Sequence, residues 1–423
     1  MQSLSNGSGR RNERTALARL WPLGLAALVC GCGPYENGGA GGVAGVGGSP
    51  AGGGGAGSGG MAGTAGTSSE GAPDSVIGCS AASWPQAGWY FAPPPVDEFS
   101  TREEAMLARM EAAGLSGDGT VVVGTSQDQP YRREATVTWS ATQGLVDLPP
   151  SLIEGSPFEA RGMQASCNGS VVLQQRRLLD SIHRTQGGQA LDVLPGPPSA
   201  DAVTMSPDAS VIVDGLGYLG EFSSTPELWS AATGTVPLSS LTDEAVYGVA
   251  PDGTLIAGNA DVLFEYDPAT DVKTPIGMAA VDFPDYGART RPSIKVSPSG
   301  EAWAQAADLH YDSFLVWRAG AAPRSVTCPA SCRVVDISGT GAVVLVNTSA
   351  ESSTKSSIWT ESSGFVDLTS LFQALGVDLT GRELRAVALS DDGRAVAGNV
   401  YRLGEPYYPD SFFYAVLPAS IYQ

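Results

Sequence analysis

Two histidines, His183 and His310, are the whole imidazole complement of this 423-residue sequence, so a Ser-His-Asp triad would have to recruit one of them. His183 lies in Arg176-Arg177-Leu178-Leu179-Asp180-Ser181-Ile182-His183-Arg184, a basic patch in an acidic chain. That patch could meet an anionic group, and the simpler reading is a solvated hairpin face. His310 lies in Asp308-Leu309-His310-Tyr311-Asp312, with two carboxylates near enough to join it at a metal; a surface histidine between strands is the simpler reading there too. Asp118, Asp208, Asp252, Asp391 and Asp392 recur at turns, and gathered on one rim they would suit calcium. No D-x-D-x-D-G loop supports that reading, and Asp before Gly is what a hairpin bend itself uses. The sequence contains no G-x-S-x-G elbow, P-loop, H-E-x-x-H or C-x-x-C pair. It therefore nominates no catalytic, cofactor-binding or metal-binding residue.

Four cysteines lie in the body of the chain: Cys79, Cys167, Cys328 and Cys332. An even number in an exported protein suggests two disulfides, with three possible pairings. Cys328-Pro-Ala-Ser-Cys332 is a short loop that a local bridge closes, which leaves Cys79 to staple the segment it begins to Cys167. A metal would need four convergent ligands, and disulfides are the expectation.

Export is read from the N-terminus. Arg10, Arg11, Arg14 and Arg19 precede an apolar run from Leu20 to Val29, the length of a signal-peptide core and too short to span a bilayer as a helix. Val29-Cys30-Gly31-Cys32 follows and resembles a bacterial lipobox, with Gly31 in the small-residue position before the lipidated thiol of Cys32. This implies an exported lipoprotein held at the outer membrane or cell surface by an N-terminal lipid anchor. From Gly38 to about Ala72 the residues are almost all Gly, Ala, Ser and Thr, which cannot bury enough apolar area to offset chain entropy. The expected division is a signal and lipobox over 1–32, a disordered tether over 33–78 and a folded domain over 79–423. With 24 Lys plus Arg against 44 Asp plus Glu, the net charge is -20, a field that repels nucleic acid.

The folded part is a set of repeats. Turn glycines fall at Gly119, Gly169, Gly253, Gly300, Gly341 and Gly393, with Ala209 in the same slot, and Ser116, Ser166, Ser206, Ser297, Ser338 and Ser390 stand three residues earlier. The spacing of about 40 to 52 residues is that of propeller blades. Each turn is followed by an apolar, β-branched run such as Val171-Val172-Leu173 or Val211-Ile212-Val213, and most units then end a third strand on an aromatic: Trp139, Trp229, Tyr266, Trp317, Trp359 or Tyr414. The fold class is all-β, a β-propeller of about seven four-stranded blades. The last unit lacks a sure fourth strand, and Gly88-Trp89-Tyr90-Phe91 is the segment that fills the gap and closes the ring. Ser100-Thr101-Arg102-Glu103 is a capping box before a short helix, and Thr369 to Gly376 reads as another helical turn or two.

Ser-x-Asp-Gly-x-Val-Val-x-Gly, then Glu134-Ala135 to Trp139, then Gly144-Leu145-Val146-Asp147-Leu148, resembles the bacterial extracellular HAF repeat. The ending from Leu371 to Gly381, with Leu389 to Gly398 and Phe412 to Leu417, is similar to the last repeats of such proteins. The resemblance implies a propeller and carries no activity. The expected function is a non-enzymatic, monomeric binding module that needs no cofactor and meets a protein or glycan. Its first contact candidates are the inserts Tyr401 to Asp410 and Asp282-Phe283-Pro284-Asp285-Tyr286. The alternative is a propeller hydrolase or lyase acting on carbohydrate through channel carboxylates, which would need two facing carboxyl groups, one of raised pKa.

Overall fold

The serine of each repeat explains why the turn forms. Ser116, Ser166, Ser206, Ser297, Ser338 and Ser390 are buried, at 0–2% exposure, and each hydroxyl accepts the backbone N–H of the residue five positions on, at 2.8–3.1 Å. Where the turn offers an acidic or amide oxygen, the same hydroxyl donates to it: Ser116 to Asp118, Ser166 to Asn168, Ser206 to Asp208 and Ser390 to Asp392. That oxygen also accepts the N–H two residues later. The buried polar groups of the bend are thus satisfied locally, and the chain reverses into the second strand. The turn glycines hold φ between 69° and 89°, and Ala209 adopts 56° in the same place.

The computed structural model describes residue 79, residues 89–91 and residues 110–422, apart from segments 129–132, 149–159, 177–180, 187–188, 195–202, 215–224, 243, 259–261, 277–293, 307–310, 351–352 and 405–408. The chain divides into units 1–67 and 68–423, and every described residue belongs to the second. Cys32, the tether and the capping box at Ser100 lie outside the described residues.

Seven four-stranded antiparallel sheets make the domain, a seven-bladed β-propeller. Blade 1 runs from Met110–Leu115, its innermost strand, through Val121–Asp128 and Arg133–Ser140 to Gly144–Asp147. The innermost strands of blades 2 to 7 are Ala160–Ala165, Val203–Met205, Ala245–Val249, Ile294–Val296, Ser331–Ile337 and Arg382–Leu389. Six blades use consecutive strands. Blade 7 takes its outermost strand from the other end of the domain: β1 (Trp89–Phe91) pairs with Ser411–Val416 in the register Trp89↔Ala415, Tyr90↔Tyr414, Phe91↔Phe413. The aromatic segment before the repeats is therefore the closing strand, as its place in the sequence predicts. Among the described residues one α-helix, Leu368–Ala374, packs against blade 6, capped by Asp367 accepting from Ser370 N at 2.6 Å.

The apolar core lies between blades. Trp139, Trp229, Tyr266, Trp317, Trp359 and Tyr414 are all buried, and each sits in a cluster shared with a neighbouring blade. Burying such rings face to face is what lets thin sheets cohere. At the seam between blades 7 and 1, Tyr90 stacks on Trp139 with centroids 4.3 Å apart, and Phe412 meets Trp139 edge-on at 5.6 Å.

The inner strands of blades 1, 2, 4, 6 and 7 each carry a β-bulge, at Ala113, Met163, Tyr247, Val335 and Val387. A bulge leaves ladder groups unpaired, and the neighbouring blade supplies partners: Asn399 Oδ1 accepts from Ala112 N at 2.7 Å and its Nδ2 donates to Ala112 O at 3.0 Å. Close approach at the bulge also explains the glycine that ends the Val-Val-x-Gly run. A Cβ on Gly124 would lie 2.4 Å from Glu111 O, and one on Gly398 would lie 2.4 Å from Arg385 O.

Candidate functional site

The residue after each repeated serine, or after Ala250 in blade 4, occupies one slot around the propeller axis: Gly117, Cys167, Pro207, Pro251, Pro298, Gly339 and Asp391. Backbone bonds link these slots from blade to blade. Gly339 N donates to Asp391 O at 2.6 Å, Asp391 N to Gly117 O at 2.8 Å, Asp118 N to Cys167 O at 2.7 Å, and Cys167 N to Pro207 O at 2.7 Å. The prolines have no N–H to continue the chain of bonds. This ring of turns forms one narrow end of the axial channel.

Blade 1 has glycine in its slot, and the space this leaves is occupied. A Cβ on Gly117 would lie 2.5 Å from Cys79 Sγ and 2.6 Å from Asp391 Oδ2. Cys79 thus enters the axis between blades 2 and 7 and is bonded to Cys167, their Cα atoms 5.2 Å apart. The structure also joins Cys328 to Cys332, across the connection from blade 5 to blade 6. Of the three pairings open to the sequence, this is the one that the short Cys328–Cys332 loop favours.

Asp391 corrects one sequence expectation. Asp118, Asp208, Asp252 and Asp392 accept turn N–H groups, as a structural account of the recurring acids requires. Asp391 does not share that task. Its side chain is 4% exposed and its Oδ2 touches Cys79 Sγ. Burial pushes its carboxyl up to about 7, and the charges of Asp336, Asp392 and Asp118 push the same way.

Above this floor the inner strands of all seven blades enclose a cavity of about 540 Å³, large enough for a small-molecule ligand. The bulge residues Ala113, Met163, Tyr247, Val335 and Val387 line it together with Gln164, Lys295, Arg333, Asp336 and Asp391. Arg333 is exposed within the cavity and Lys295 partly so. Among the described residues neither makes an ion pair. The two cations stand on adjacent blades, 6 and 5, in a protein whose charge is otherwise strongly negative.

Asp336 lies on the same wall, half-buried. Burial raises its pKa, against the opposing pull of its backbone bonds and of Lys295. Its Oδ2 accepts from Leu389 N of blade 7 at 2.8 Å and its Oδ1 from Ile337 N at 2.9 Å. Both oxygens are thus engaged, Oδ2 in fixing blade 6 to blade 7 and Oδ1 within its own strand. Among the described residues the channel holds two carboxyl groups, one near neutrality in pKa, but Asp336 is braced and Asp391 is in contact with sulfur. Neither presents a free oxygen pair to a glycosidic bond.

His183 lies on the third strand of blade 2, Ser181–Gln186, opposite Gln174 and Asp192, two strands out from the channel. His310 and the Asp282–Tyr286 insert lie outside the described residues, as does 405–408 within the other insert. Lys295 and Arg333 were not singled out from sequence. The signal that could have found them is a charged residue in the short strand just before each Ser-x-Asp-Gly turn.

No family model and no curated protein matches this chain. Among solved structures it is similar to TolB from Acinetobacter baumannii, at 11% identity and a TM-score of 0.40, covering 59% of this chain and 63% of that one. It is also similar to the Myceliophteria thermophila Swd1 β-propeller domain, at 13% identity and a TM-score of 0.47, covering 77% and 100%. A streptogramin B lyase matches at 10% identity and a TM-score of 0.46, covering 78% and 98%. The chain thus spans less than two thirds of the length of the TolB chain.

Proposed function

We propose that this chain is a HAF-repeat propeller, lipid-anchored in the cell envelope through Cys32, that binds the carboxylate of a polar ligand in its axial channel. The observation that carries the binding reading is the pair of cations, Lys295 and Arg333, on the wall of a cavity of about 540 Å³, neither of which forms an ion pair among the described residues. A guanidinium exposed on a cavity wall is a ready donor for a carboxylate and binds it with directional hydrogen bonds. The volume suits a free small molecule or the chain end of a glycan or peptide. The recurring Ser-x-Asp-Gly turns, each with a stated hydrogen-bonding task, support the repeat assignment.

A thermal-shift panel of uronic acids, amino acids and short peptides, followed by calorimetry on the best stabiliser, tests the channel. One carboxylate class should raise the melting temperature of the native protein. Arg333→Ala and Lys295→Ala should each weaken it by at least about tenfold, as expected for a lost charge-assisted bond, while Arg324→Ala on the outer edge of blade 5 should leave it unchanged. Binding that survives both channel substitutions, or a panel with no stabiliser, would overturn this reading.

The anchor is tested separately, by growing an expressing bacterium with radiolabelled palmitate. Label should enter the native chain and be lost in Cys32→Ser, with the protein released from the membrane fraction. Label retained by Cys32→Ser would place the lipid elsewhere.

A further inference from the structure

The floor of the channel holds three groups whose chemistry changes together. Cys79 Sγ, Cys167 Sγ and a carboxylate oxygen of Asp391 lie within 4.8 Å of one another, all buried. They come from three separate places: the segment before β1, blade 2 and blade 7. Gly117, the side-chain-free slot of blade 1 between them, provides the space. All three also line the cavity.

The contact between Cys79 Sγ and Asp391 Oδ2 is chemically unusual in the bonded form. A disulfide sulfur carries no proton, so it cannot donate to a carboxylate, whereas a reduced Cys79 thiol could. A buried carboxylate converging with two sulfurs is a place where a cation would relieve the cost of burying charge.

We propose that the Cys79–Cys167 disulfide and a single zinc-class divalent cation are alternative occupants of this floor. In the reduced state, Cys79 Sγ, Cys167 Sγ and an Asp391 oxygen hold the ion, and its fourth position faces the channel. Opening the bridge requires a dithiol reductant. Its two thiols are oxidised to a cyclic disulfide while the protein S–S bond is reduced to two thiols, so two electrons and two protons pass to the protein. The ion then displaces the thiol protons and any proton on Asp391. Zinc-to-sulfur and zinc-to-oxygen bonds of about 2.3 and 2.0–2.2 Å place tetrahedral ligands roughly 3.5–3.8 Å apart, which the two sulfurs can reach only once the bridge is open and their side chains have turned apart. Two thiolates select zinc or cobalt over calcium, which takes six to eight oxygens. The open fourth position distinguishes this set from a closed structural site.

The test uses the full chain with Cys30→Ser, Cys32→Ser, Cys328→Ser and Cys332→Ser, so that Cys79 and Cys167 are the only thiols. Oxidised protein should take up no Co²⁺. After reduction and removal of the reductant under anaerobic conditions, it should bind one Co²⁺ per chain with a thiolate-to-cobalt charge-transfer band, and Zn²⁺ should displace it. Asp391→Asn should weaken Co²⁺ by at least about tenfold while the far-UV circular dichroism stays native. Cys167→Ser should remove most of the charge-transfer intensity. The proposal fails if reduced protein with two titratable thiols takes up no cobalt, if Asp391→Asn binds it as tightly as the parent, or if reduction itself unfolds the domain.

Discussion

Replacing Trp89-Tyr90-Phe91 by Gly-Ser-Gly is expected to lower the unfolding free energy by about 5 kcal/mol or more and to expose an edge that drives association. Two losses combine. Truncating Tyr90 removes a ring that stacks on Trp139 at 4.3 Å and meets Phe412 at 5.3 Å, and deletion of a packed aromatic costs about 3–5 kcal/mol. Tyr90 is half-buried, so the lower end applies, and Tyr90→Ala alone should cost about 3 kcal/mol. The remainder comes from the backbone. Without β1 the strand Ser411–Val416 becomes the rim of blade 7, and every residue of that strand is buried in the closed ring. An apolar edge with unpaired N–H and C=O groups is a template for pairing with another chain. Urea denaturation and size-exclusion chromatography of the variant read both effects. The control is Val272→Ser on the outermost strand of blade 4, where the side chain is 52% exposed and the change should stay within about 0.5 kcal/mol. If the β1 variant matched this control in stability and remained monomeric, β1 would be a decorative arm and not the closure of the ring.

The closing strand was legible because it answers a deficit visible in the sequence. Seven turns of the Ser-x-Asp-Gly type, most with one position changed, imply seven four-stranded sheets, the last repeat lacks a sure fourth strand, and an aromatic extended segment stands unassigned before the first repeat. The turns were equally legible, since a buried serine that must bond the N–H five residues on leaves a fixed mark at fixed spacing. Cys79 and Cys167 followed from the shortness of the Cys328–Cys332 loop. Asp391 was not legible: the motif Ser-x-Asp-Gly aligns Asp392 with Asp118 and Asp208 as the turn acid, and says nothing of where the x position, Asp391, points. Only the closed ring, which makes the slot residues of blades 7, 1 and 2 neighbours, reveals that. The cavity wall was hidden for a related reason. Bulges at Met163, Tyr247, Val335 and Val387 break the alternation of the inner strands, so the periodicity that separates core from surface on other strands fails where the channel is built.

Asp391 should make the oxidised, chelator-treated protein less stable as pH rises, and Asp391→Asn should abolish that loss. Its folded pKa, about 7, stands above the unfolded value of 3.8. Over the window between the two, the folded state therefore binds more protons than the unfolded chain. The stabilisation linked to this carboxyl is complete below about pH 3.8 and is lost as pH climbs through about 7. A gap of roughly three pKa units at about 1.4 kcal/mol each gives about 4 kcal/mol between the two ends. Asparagine has nearly the same shape and no charge to bury. The variant should match the parent at pH 4 and exceed it by up to about 4 kcal/mol at pH 8.5, read by urea denaturation at each pH. Among the other acids, Asp208, Asp267, Asp271 and Asp378 have lowered pKa values, so their contributions fade in acid, in parent and variant alike. The contribution of Asp336, whose pKa burial raises, is lost in the same direction as that of Asp391, and Asp336 is present in both proteins. Stability curves for parent and Asp391→Asn that run parallel from pH 4 to pH 8.5 would mean that Asp391 is compensated in the folded protein. The cation-seeking character of the channel floor would then lose its electrostatic basis, and only the convergence of sulfur and oxygen would remain.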